Sequence, residues 1–117
     1  MRRLLVLSLF LGTILLAQSA AAMPIAAFLQ RPRSEQTIYA VGSISMLAFT
    51  EGMNGHESRM QCLTDWYKGG GEGAFFTALN LPPDQFKARF GFDASDQGLG
   101  YVELVLMRLA NDACPAK

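Results

Sequence analysis

"RMQCLTDWYKGGGEGAFF", Arg59 to Phe76, holds the chain's only tryptophan, three consecutive glycines and one of its two cysteines. In its first half, Arg59, Cys62, Leu63 and Trp66 recur at the spacing of one helix face. A helix is therefore expected from about Ser58 to Tyr67, with Cys62 and Trp66 sharing a core-facing side. Gly69, Gly70 and Gly71 read as its stop. A phosphate-binding loop would need a Gly-Lys-Ser/Thr ending and a preceding strand, and the stretch offers neither.

What Cys62 does depends on where the chain resides. The sequence opens "MRRLLVLSLFLGTILLAQSAAAMP". Arg2 and Arg3 precede an apolar run from Leu4 to Ala17, and Ala20 and Ala22 then form an A-x-A motif. This is the pattern of a secretory signal peptide cleaved before Met23. The apolar run is shorter than the ~20 residues a spanning helix needs. The expectation is a leader at residues 1–22 and one small domain at 23–117, located in the periplasm. Removing Arg2 and Arg3 leaves eight Lys and Arg against ten Asp and Glu, a net charge of –2. A nucleic-acid binder would need a basic face, so that class is disfavoured.

In an oxidising compartment, two cysteines in a small domain pair. A Cys62–Cys114 disulfide is therefore expected. The alternative is a thiol enzyme, with Cys62 activated by His56, the only histidine. His56 lies in the turn-like "GMNGHES", with no Asn or Asp clearly placed to orient it. One histidine and two distant cysteines also make no zinc pattern, and no metal or other cofactor is expected. The Asp and Glu residues are scattered, with no pair spaced for acid–base work. The chain reads as a non-enzyme.

Working outward, the remaining segments are helical, and little suggests a strand. "MPIAAFLQ" is a short helix ended by Pro32. Ser34 is positioned to cap a long helix from about Glu35 to Gly52. Its core face is expected to carry Ile38, Val41, Ser45, Ala48 and Phe49, while Ala40, Gly42, Ser43 and Ser45 keep another part thin enough for a neighbouring helix. "EGAFFTAL" is a further segment. Pro82 and Pro83 begin a helix burying Phe86 and Phe90. In the last helix, Leu99, Val102, Val105, Leu106, Leu109 and Ala113 form the apolar stripe, and Glu103, Arg108 and Asp112 face away. Cys114 falls at its end, before Pro115. The expected fold is all-α: a small bundle of four to five helices braced by one disulfide.

Four features then stand together. Phe28-Leu29 opens the mature part, "YAVG" (Tyr39–Gly42) follows in a helix, Cys62 lies mid-chain, and "LVLMRLANDACP" closes the chain. The combination resembles the Rap/Tai-type immunity proteins of type VI secretion. These are periplasmic helical domains that bind and block peptidoglycan-cleaving amidase effectors. The resemblance implies a protein partner, a secreted toxin enzyme, and inhibition by occlusion of its cleft. The matching positions are structural and carry no inhibitory residue across. Aromatic anchors generally supply much of such binding energy, which makes Trp66, Tyr67 and Tyr101 the candidate partner-binding residues. No nucleic acid and no membrane after leader cleavage are expected as partners, and a homodimer is left open. The second reading is a periplasmic acid-stress chaperone, similar in size, compartment and cysteine separation. It lacks the acidic cluster such a trigger would use.

Overall fold

A computed structural model describes residues 22–116. The expected leader, 1–22, lies outside the described residues except for Ala22. Among the described residues six α-helices follow one another: α1 (Ile25–Leu29), α2 (Arg33–Met53), α3 (Glu57–Trp66), α4 (Glu72–Leu79), α5 (Pro83–Phe90) and α6 (Val102–Ala113). Among the described residues the only β pairing is an isolated bridge between Pro24 and Tyr101. The all-α expectation holds. No helix among these residues is long and apolar enough to cross a membrane.

Three of the helices start on proline. Pro24, Pro32 and Pro82 occupy the N-cap positions of α1, α2 and α5 with extended backbones and no side-chain cap. Their carbonyls accept from Phe28, Gln36 and Phe86 N–H at 3.0, 3.1 and 2.9 Å. Proline suits this place because its fixed φ is shared by the extended and helical regions, and its missing N–H lies outside the helix. Helix α2 therefore begins at Arg33. Ser34, expected as the cap, falls inside the first turn instead.

The glycine triplet stops α3 as expected: the helix ends at Trp66, the backbone leaves helical geometry at Gly70, and α4 begins at Glu72 after the kink. Gly70 makes the kink, with φ of 136°, a value side chains rarely tolerate. Gly71 is needed for a different reason: a Cβ there would lie 2.6 Å from Cε2 of the Trp66 indole. The triplet joins two helices at an angle and lets the indole rest on the backbone.

The core is aromatic at its centre. Phe28 of α1 is fully buried among Tyr39, Phe75 and Phe76, with ring centroids 6.0–6.2 Å apart. Phe86, Phe90 and Phe92 form a second cluster around α5. Helix α6 contributes Val102, Val105, Leu106, Leu109 and Ala110. Leu99 and Ala113, expected in that stripe, are exposed. The Cys62–Cys114 disulfide is formed, with Cα atoms 6.0 Å apart, and pins the end of α6 to α3.

Helix α2 differs most from expectation. Its buried residues are Gln36, Ala40, Ile44 and Ala48, one per turn. Of the five residues expected on the core face, only Ala48 is buried; Ile38, Val41, Ser45 and Phe49 face outward. The reason is close packing on α3, the most extensive helix–helix contact of the fold. At Gly52 a Cβ would meet the Met60 sulfur at 2.5 Å. Gly52 permits this approach, and alanine at two of the four buried positions of α2 keeps that face narrow.

Candidate functional site

With α2 turned this way, its large apolar residues form a second stripe on solvent. Ile38, Met46, Phe49 and Met53 are 72, 65, 60 and 73% exposed. They recur at helical spacing opposite the Ala40–Ile44–Ala48 ridge. Across from Ile38 and Met46, α6 exposes Met107. Between the two helices runs an open groove of about 600 Å³, walled by Ile38, Met46 and Met107 and floored by Leu47 and Leu106.

Two local features shape the groove. Gly42 leaves it wide, since a Cβ there would meet nothing within 4 Å. Ser43 and Thr50 turn their hydroxyls back onto α2, donating to the carbonyls of Tyr39 and Met46 at 2.9 and 2.8 Å. Their hydrogen-bonding capacity is spent within the helix, so the wall they flank stays apolar. Contiguous exposed apolar surface is where folded proteins commonly meet partners or ligands.

One end of the groove is polar. Tyr39 donates a hydrogen bond to Glu103, which therefore does not face away as expected but reaches from the first turn of α6 to α2. Burial, reinforced by this hydrogen bond and by the Glu103 charge, pushes the Tyr39 hydroxyl up to about 12. It remains a donor at neutral pH.

The second cluster surrounds the disulfide. Glu51, on α2, accepts from Arg59 Nη1 at 2.7 Å and lies 2.8 Å from His56 Nδ1. Arg59 also donates to the Cys114 carbonyl at 3.0 Å and to Asn111. His56 thus has an orienting carboxylate that the sequence reading did not find. Cys62 cannot serve it as a thiol nucleophile, because its sulfur is held in the bridge to Cys114. The cluster clasps the ends of α2, α3 and α6 together.

The three aromatic candidates are dispersed. Tyr101 is half-buried and donates to the Gln97 carbonyl at 3.0 Å. Trp66 is half-buried against Gly71. Tyr67 is buried in the core, only 6% exposed. None of the three lines the groove. The residues that do were overlooked because one helix carries two apolar stripes. A reading that assigns the larger residues inward picks the wrong one.

Tyr67 is informative for stability. Its hydroxyl is buried and has no hydrogen-bond partner among the described residues. An unpaired buried hydroxyl costs roughly 1–3 kcal/mol. Tyr67→Phe is therefore expected to leave the melting temperature unchanged or raise it. Burial first, and then the Glu72 charge, push this hydroxyl up to about 12. Because the folded value is raised, the native state holds the proton longer than the unfolded chain. Stability is complete below the ordinary tyrosine value of about 10 and falls as pH rises toward 12. Denaturant titrations across that window should show a smaller loss for Tyr67→Phe than for wild type.

No protein-family description, curated protein or solved structure matches the chain.

Proposed function

We propose that the chain is a periplasmic, non-catalytic binding domain that receives a protein partner along the α2–α6 groove. In this reading it acts as an immunity protein, docking over the cleft of a secreted peptidoglycan amidase and occluding it. The observation that carries the reading is the exposed stripe Ile38–Met46–Phe49–Met53, continued across the groove by Met107. The disulfide and the Glu51–Arg59 clasp support it by bracing the helices that present the stripe.

The partner is sought first in the gene adjacent to this one. A secreted amidase found there is titrated with the oxidised mature chain. Peptidoglycan cleavage is expected to stop near one equivalent. Ile38→Asp with Phe49→Asp should weaken inhibition by about 30-fold or more, the size of a buried apolar anchor. Both positions are exposed in the free chain, so its melting temperature should hardly move. Undiminished inhibition by the double variant would remove the exposed stripe of α2 from the interface.

One observation favours the chaperone reading as the second. Met46 and Met107 give the groove unbranched, adaptable side chains that suit varied clients, and Met53 adds another exposed on the same helix as Met46. Suppression of aggregation of unrelated proteins below about pH 3, with no inhibition of any amidase, would select it.

A further inference from the structure

Glu103 is half-buried and makes no ion pair with Lys, Arg or His among the described residues. Its two oxygens instead face the backbone nitrogen of Met23, at 3.4 and 3.3 Å. Met23 is fixed in place, since its carbonyl accepts from Val102 N–H at 3.0 Å and the Ile25 N–H donates to Gly100 at 2.9 Å. As a peptide amide, the Met23 nitrogen has one hydrogen to share between two acceptors. As a free α-ammonium it would have three, and a positive charge. Met23 is also the residue that follows Ala20-x-Ala22, the cleavage motif. The sequence signal and the carboxylate without a cation meet on one nitrogen.

We propose that hydrolysis of the Ala22–Met23 bond creates a functional group: the new Met23 α-ammonium pairs with Glu103 and, through Tyr39, completes the polar end of the groove. Water adds across the amide, Ala22 departs with the carboxylate, and Met23 keeps the nitrogen, which is largely protonated at neutral pH. The long, neutral N–H contact becomes a charge-assisted pair. Tyr39 and Glu103 both line the groove, so the docking surface is finished only in the processed chain. Export and binding competence are thereby coupled. The inference rests on the periplasmic part of the proposed function and leaves the identity of the partner open.

The test starts with intact mass and N-terminal sequencing of protein recovered from the periplasm, which should begin at Met23. Mature chain with a free amine is then compared with its Nα-acetylated form, in wild type and in Glu103→Gln. Acetylation keeps the N–H and removes the charge. It is expected to lower the melting temperature of wild type by about 4–8 °C and to have little effect on Glu103→Gln. An NMR titration of the wild-type α-amine should place it above its usual ~7.7–8.0, and it stands alone if Glu103→Gln does not fold. Equal melting of the two wild-type forms, or an equal drop in Glu103→Gln, would overturn the pair while leaving groove binding intact. A processed chain that begins elsewhere would overturn cleavage at this bond and separate that failure from the first.

Discussion

Replacing Cys62 and Cys114 together by serine is expected to lower the melting temperature of the 23–117 domain by roughly 15–30 °C. The bridge spans a sequence separation of 52 residues. Closing a loop of that length in the unfolded chain is worth about 4 kcal/mol in the chain-entropy model. Each kcal/mol moves the midpoint of a domain this size by about 4–8 °C. Total stabilities of ~5–15 kcal/mol leave the double variant marginal at 37 °C. The loss should appear first where the bridge acts, at the junction of α3 with the end of α6. There, Arg59 also holds the Cys114 carbonyl, and fraying of α6 would free both contacts. Thermal melts and hydrogen exchange, with the wild type's bridge verified by alkylation without reductant, measure this. A double variant melting within a few degrees of wild type would show that the helices hold without the staple. Because α6 forms one wall of the groove, binding should fall with folding and recover at low temperature.

Phe28→Ala should cost about as much, ~3–5 kcal/mol. Phe28 is fully buried and packs against the rings of Tyr39, Phe75 and Phe76. Removing it leaves a cavity that the flanking helices cannot close without breaking their own packing. Helix α1 is only five residues long and buries just Ile25 and Phe28, too little to persist once its anchor is gone. The expected result is a lower guanidinium midpoint together with fast amide exchange across Ile25–Leu29. Protection in α3 and α6 should outlast that in α1, because the disulfide joins them directly. Loss of α1 also removes a neighbour of Tyr39, so the polar end of the groove should loosen and affinity fall. A midpoint shift of under 1 kcal/mol would mean that the core refills the space.

Much of this architecture is legible in the chain itself. The 3.6-residue periodicity and scarce strand signal specify helices. The prolines at 24 and 82 mark where two of them begin, and Pro115 follows the end of the last; Pro32, read as a stop, is also the start of α2. The Cys62–Cys114 pairing follows from there being two cysteines, both on apolar helix faces. "EGAFFTAL" corresponds residue for residue to α4, and Phe86 and Phe90 are buried as expected. These features are local, or reduce to a single possible pairing, so one sequence suffices to read them.

What sequence left undecided depends on which neighbour each helix meets. Helix α2 carries apolar residues on two faces, and periodicity cannot rank them. The close approach of α3 at Gly52 and Met60 goes with burial of the Ala40–Ile44–Ala48 face and leaves Ile38, Met46, Phe49 and Met53 on solvent. Glu103 looks like an outward residue of α6 until α2 and the N-terminal strand-like turn bring Tyr39 and the Met23 nitrogen to it across 64 and 80 residues of chain. Glu51, His56 and Arg59 become a clasp only once α3 folds back on α2. Composition and spacing fix which segments are helices and which cysteines join. Steric fit between helices, a property of pairs rather than of any one stretch, fixes which face is core and where the groove lies.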